Sequence, residues 1–220
     1  MKRNIAGSVL VALGVILVIA ALCKAGSNLW VQEKAGKNAE LAMEALIEQI
    51  ALPTPPQQSR PNDPQSPESD PVVQPGLDEK PDYVEKPAME LPETVIDGVA
   101  YVGYLQIPAL GLTLPVISES TEEYLNIAPC RFFGTPYQKN FVIGGHRYRK
   151  HFSNIHTLKY GERLTFTDVA GNVFTYEVTE CEILEPYEAE YLCSGEWDLS
   201  LYTCTPGGAS RVTVRCEQVA

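Results

Sequence analysis

The 220-residue sequence predicts a mostly β domain, a barrel or a sandwich, carried behind an N-terminal membrane helix and a linker, and three observations point there. The first is a run of twenty uncharged residues from Asn4 to Cys23. The second is the crowding of eleven of the 17 prolines into residues 53–92. The third is a change of composition from about Val95, where short runs rich in Val, Ile, Tyr and Thr alternate with Gly, Pro and Asn.

Residues 4–23 form an apolar helix that spans the roughly 30 Å hydrocarbon core at about 1.5 Å per residue. Lys2 and Arg3 precede it, which keeps residues 1–3 as a cytoplasmic tip and places the rest outside, although Lys24, Lys34 and Lys37 weaken the asymmetry. A retained anchor is favoured over a cleaved signal because the run is long for a signal and Lys24 interrupts any small-residue cleavage site. Residues 24–52 read as a helical stalk, since Met43, Leu46, Ile47 and Ile50 recur at helical spacing and Pro53 stops the pattern. Residues 53–93, rich in Pro, Asp, Glu, Gln and Ser, read as an extended spacer that lacks the apolar surface to fold. No internal repeat is evident.

Residues 94–220 then form one domain, large enough for its own core. Its candidate strands are 101–107, 113–116, 140–143, 163–167, 173–179, 199–204 and 211–216, with one short helix at 122–127. These elements predict a mostly antiparallel sheet. The formal charge of −11 argues against a protein that neutralises nucleic-acid phosphates, so no nucleic-acid partner is expected.

The last two strands carry the chemistry. If Leu199, Leu201 and Thr203 face inward, Cys204 faces outward; if Val212, Val214 and Cys216 face inward, Arg211 faces outward with Thr213 and Arg215. The turn of residues 205–210 makes the two strands a hairpin, so Cys204 and Arg211 share the outer wall. A thiol beside a guanidinium suggests a nucleophile with a stabiliser of developing negative charge. Five cysteines lie beyond the apolar run, an odd number that leaves at least one thiol free or paired with another molecule. Cys216 reads as a small buried hydrophobe, and Cys181 and Cys193 form either a disulfide or two free thiols. Metal ligation is the weaker alternative, because there is no CxxC and His146, His151 and His156 stand five apart. A nucleophilic cysteine needs a proton shuttle. Among the three histidines His146 is the candidate, since it ends the apolar run Phe141-Val142-Ile143-Gly144-Gly145 at a strand rim.

Leu201-Tyr202-Thr203-Cys204, with Arg211 on the next strand and Gly145-His146-Arg147 before it, resembles the signature of the sortases, cysteine transpeptidases of Gram-positive cell surfaces. Residues 104–116 (YLQIPALGLTLPV) are similar to the family's first strands, and Phe133-Gly134-Thr135-Pro136 resembles its approach to the histidine. The resemblance implies an eight-stranded barrel with short helices. It also implies Cys204 as nucleophile, His146 as acid/base, Arg211 as the oxyanion or substrate-positioning group and Thr203 as a substrate-site residue. No cofactor and no metal are implied. The partners are surface proteins bearing an LPxTG-like sorting signal and an amine acceptor, either a peptidoglycan precursor or a pilin lysine, with the membrane engaged through the N-terminal helix. The sequence ends at Ala220 without the C-terminal membrane helix common in pilus-forming sortases, which favours cell-wall anchoring or a specialised transpeptidase. Asp70-Pro71-Val72 matches the lid motif of that subclass only superficially. The competing functions are a pilin-polymerising sortase, an exported cysteine peptidase and a non-enzymatic surface-binding domain.

Leu91-Pro92-Glu93-Thr94 reads either as a pseudosubstrate for the groove or as a chance tetrapeptide. Glu177, Glu180, Glu182, Glu185, Glu188, Glu190, Glu196 and Asp198 precede the cysteine strand. They read either as a solvated face or as a selector for a basic residue in the signal or for a cationic amine.

Overall fold

A computed structural model describes residues 5–51 and 90–219. Helix α1 (Ile5–Ala51) precedes nine strands: β1 (Thr94–Ile96), β2 (Val99–Ile107), β3 (Leu112–Ile117), β4 (Cys130–Phe133), β5 (Phe141–Gly144), β6 (Arg163–Asp168), β7 (Val173–Leu184), β8 (Leu199–Cys204) and β9 (Arg211–Val219). Two short helices, α2 (Glu122–Leu125) and α3 (Ala189–Leu192), interrupt them. Hydrogen bonding runs β2-β3-β4-β5-β8-β9-β7-β6, and β6 pairs back onto β2, which closes an eight-stranded barrel. Closure removes the open sheet edges that an eight-stranded sandwich would leave.

All seven expected strands are present. The two additional ones are short. β1 turns into β2 through Asp97-Gly98, both at positive φ as a two-residue hairpin turn requires. β4 carries a register shift between Arg131 and Phe133. β7 runs five residues past its expected end at Thr179, because a bulge between Val178 and Glu180 breaks the alternation there without ending the ladder to β9.

Two of the ladders are parallel, β3 with β4 and β5 with β8. The second matters most for the site: parallel neighbours end at the same rim, so the residues that follow β5 and those that end β8 emerge side by side. Phe141, Phe166 and Phe174 fill the barrel beside Tyr137, with ring centroids 4.9–6.3 Å apart. Leu91 is buried in that same core, Glu93 takes the Ser118 hydroxyl and pairs with Arg131 at 3.7 Å, and Thr94 opens β1. The LPET tetrapeptide is therefore built into the barrel, and a pseudosubstrate role is set aside.

Helix α1 is continuous through the expected membrane span and stalk. Its apolar half is exposed from Val9 to Leu22, and by length and composition it is the one helix among the described residues able to cross a membrane. Its second half behaves differently. Ala35, Ala39, Met43 and Leu46, spaced four, four and three apart, are buried, and Ala39 and Leu46 join Tyr101, Ile117, Ala128 and Cys130 in a second apolar cluster outside the barrel. Ile47 falls off this line and is exposed. The Thr94 hydroxyl donates to Gln49 Oε1 at 2.6 Å, so the end of α1 and the start of β1 meet. Most of the Pro-rich stretch, with Asp70-Pro71-Val72, lies outside the described residues.

Candidate active site

The site is assembled from the barrel rim. β8 ends at Cys204 and β9 begins at Arg211, and the two residues are direct cross-strand partners. The turn between them closes by Thr205 N–H to Ser210 O (3.0 Å) and Ser210 N–H to Thr205 Oγ1 (3.0 Å). Leu199, Leu201, Val212, Val214 and Cys216 are buried in the barrel, so Cys204 and Arg211 take the outward parity. The Arg211 guanidinium donates to the carbonyls of Gly208 (3.2 Å) and Ser210 (3.1 Å). Among the described residues no carboxylate pairs with it.

His146 follows β5. Two glycines precede it because the wall admits nothing larger: a Cβ at Gly144 would stand 2.6 Å from the Tyr202 ring, and one at Gly145 2.7 Å from the Phe152 ring. Gly145 N–H donates to Tyr202 O (3.0 Å) and the Thr203 hydroxyl donates to Gly145 O (2.7 Å), which fixes the residue before His146 against the strand that carries Cys204. Thr203, expected at the substrate site, is 2% exposed, and its hydroxyl holds the Gly145 carbonyl.

The His146 ring packs on Tyr148 with centroids 4.9 Å apart, and its Nε2 lies 3.4 Å from Glu122 Oε1, screened from solvent without a well-aligned hydrogen bond. Tyr148 donates to Asn126 Oδ1 (2.6 Å), whose amide donates to Glu122 O (2.8 Å). Helix α2 thus steadies the histidine loop from one side. His156 is exposed beside Ser153 O. His151 is fully buried against Tyr148, and burial first, then the neighbouring His146, lowers its pKa to about 4.

The other thiols are placed unlike Cys204. All six cysteines are free, Cys181 and Cys193 included. Burial raises the Cys130 pKa to about 12 and that of Cys216 well above the usual thiol range. Cys216 packs among the core residues, while Cys204 is half-buried on the wall.

Beside Arg211 lies a pocket of about 160 Å³ lined by Phe132, Leu184, Pro186, Leu192 and Tyr202, with Glu185 and Glu188 at its margin. Its far wall is the β7–β8 connection, and that connection is held by a residue whose role the sequence did not reveal. Arg215 is fully buried on the outward face of β9, donates to Glu182 Oε1 (2.7 Å), Ser200 Oγ (2.8 Å) and Leu192 O (3.2 Å), and lies 4.0 Å from the Trp197 ring centroid and 5.1 Å from that of Tyr191. An arginine on an outward strand face was the available signal; the missing information was that residues 185–198 fold over it. Much of the acidic stretch is likewise engaged: Glu182 with Arg215, Glu177 with Arg163, Asp198 with Lys139, and Glu188 with the Glu185 N–H.

Comparisons with known proteins bear on the family of the barrel. Residues 105–219 match the family model of the sortase domain. Sortase A of Bacillus anthracis is 29% identical over 121 residues, which cover 52% of this chain and 57% of that protein, so the chain spans little more than half the length of that relative. Among solved structures, the sortase D5 transpeptidase of Clostridium perfringens superposes with a TM-score of 0.50 at 22% identity, covering 65% of this chain and 91% of the other. Sortase C of Clostridium perfringens SM101 gives a TM-score of 0.49 at 24% identity, covering 55% and 70%. With more than half of its residues matched by the model of that domain, this chain belongs to the sortase family.

Proposed function

We propose that the protein is a membrane-anchored transpeptidase that exchanges one amide for another at Cys204. The Cys204 thiolate attacks the threonine carbonyl carbon of an LPxTG-like signal, with Arg211 stabilising the oxyanion or positioning the substrate. The Thr–Gly C–N bond breaks, the leaving amine takes a proton from His146, and a thioacyl enzyme remains. An incoming amine attacks that carbonyl and gives its proton to His146, and the C–S bond breaks to regenerate the thiolate. No oxidant or further group is consumed. Attachment of surface proteins to a peptidoglycan-precursor amine is the favoured use.

One observation carries the reading: the direct pairing of Cys204 with Arg211 on the outer wall, at the rim where the parallel strand β5 delivers His146. The adjoining apolar pocket suits the aliphatic part of a signal peptide, and Glu185 and Glu188 at its margin support a preference for a basic residue nearby.

The test uses the full chain in nanodiscs with quenched LPxTG-like peptides, with and without amine acceptors, beside Cys204→Ala. Amine-dependent product lost in Cys204→Ala is the expected result. Cleavage indifferent to every amine identifies a peptidase, and no turnover with a folded barrel identifies a binding domain.

A further inference from the structure

The loop that carries His146 has two sides. On the barrel side Phe152 packs against Gly145, and the Phe152 N–H bonds to His146 O (3.2 Å). On the other side lies α1. Gly36 meets the stem of Lys150 so closely that a Cβ there would stand 2.3 Å from Lys150 Cδ. Glu40 Oε1 then takes the Lys150 ammonium at 2.7 Å. Ala35, one residue earlier, is buried, and its backbone approaches His151.

His151 makes this contact informative. It is wholly buried, and its one polar partner among the described residues is the Ala35 backbone of α1, in a geometry short of a well-aligned hydrogen bond. A buried polar ring left in this state is unfavourable, and a loop free to move would turn it to water. The Glu40–Lys150 pair is exposed on both sides and contributes little alone. The remaining contacts are the seat of Gly36 on the Lys150 stem and the burial of Ala35 beside His151, backed by the buried Ala39, Met43 and Leu46 further along the helix.

From this we infer that α1 is a positioning element of the active site, clamping residues 146–154 from outside so that His146 is held at the rim beside Cys204. The helix has two separable tasks, an apolar half for the membrane and a docking half for the histidine loop. Because one helix does both, catalytic geometry depends on a segment that a soluble barrel fragment would lack.

The inference rests on the transpeptidase reading, so its test includes a readout that needs no substrate. In the full chain in nanodiscs, the rate of Cys204 alkylation by iodoacetamide is followed against pH by peptide mapping, with His146→Ala as the reference for a thiol uncoupled from its histidine. Two variants loosen α1 by different routes. Gly36→Leu wedges it from Lys150, and Leu46→Asp places a charge under the docking face about 15 Å along the helix. Both are expected to move the Cys204 pH profile toward that of His146→Ala, and to lower kcat at least tenfold with KM within twofold. Wild-type profiles in both variants overturn the inference. So does a change in KM alone, which would make α1 a substrate contact, and so does a change in Gly36→Leu alone, which would be local distortion by the wedge. If His146→Ala itself leaves Cys204 alkylation unchanged, the transpeptidase reading fails instead.

Discussion

The Thr203 hydroxyl donates to the carbonyl oxygen of Gly145 at 2.7 Å, and this bond joins the residue before Cys204 to the residue before His146. The nucleophile and proton shuttle proposed at Cys204 and His146 need a common reference, and a short buried bond across a parallel ladder provides one. Thr203→Val keeps the shape and removes the donor. The expected outcome is a loss of about 1–3 kcal/mol in urea unfolding, with kcat reduced and KM little changed, while Thr203→Ser retains most of both.

Arg215 supports the pocket from beneath. Arg215→Met leaves the part-exposed Glu182 carboxylate without its partner and frees residues 185–198, at a cost of about 1–3 kcal/mol. The expected kinetic signature is a raised KM for signal peptides with a smaller change in kcat. Arg215→Lys is expected to resemble Met more than Arg, since an ammonium lacks the planar fork that reaches Glu182, Ser200 and Leu192 while stacking on Trp197.

His151 gives stability a pH dependence of known sign. The folded imidazole stays neutral to about pH 4, whereas in the unfolded chain it protonates near 6.5. Between these values the unfolded state binds the extra proton, so stability is full above about 6.5 and falls as pH drops toward 4, by on the order of 3 kcal/mol. Urea unfolding at pH 7 and pH 4.5 checks this, and His151→Leu is expected to flatten that part of the profile.

Thiol labelling separates the cysteines by placement. Cys204 is expected to react in the native protein, at a rate altered by His146→Ala, whereas Cys130 and Cys216 react only with global unfolding because both are buried and held as thiols. Peptide mapping after timed iodoacetamide exposure reads this directly.

Charge reversal of Glu185, Glu188 and Glu190 to lysine tests selection at the pocket margin. The expected result is a several-fold loss of kcat/KM for a signal with a basic residue and little change for a neutral one, compared at low and moderate salt.

The mostly β domain was legible because its strands carry period-two alternation, the closed barrel only through the family resemblance, and the proposed site residues stand where such strands end, Cys204 and Arg211 at strand termini and His146 two residues past one. β1 was missed although Val95-Ile96-Asp97-Gly98-Val99 holds a strong hairpin signal, since its three residues sit at the edge of the proline-rich stretch. β7 was cut short at its bulge, where alternation fails locally. The expectation of Thr203 at the substrate site came from the motif, whereas its bond to the Gly145 carbonyl spans two strands and no local pattern encodes it. The roles of Arg215 and α1 depend on contacts between residues far apart in the chain, Arg215 with Glu182 and Trp197, and Glu40 with Lys150, and no local pattern encodes them.

The meeting of Gln49 with Thr94 changes what cleavage of the intervening chain would accomplish. A tether that spans a gap releases its cargo when cut. Here a protease acting between residues 52 and 89 would sever the backbone yet leave Leu46 seated among Tyr101, Ile117 and Cys130, and Glu40 on Lys150. For a chain anchored as proposed, the product is a nicked two-piece enzyme still retained at the cell surface, and shedding the barrel requires prying the helix off as well as cutting.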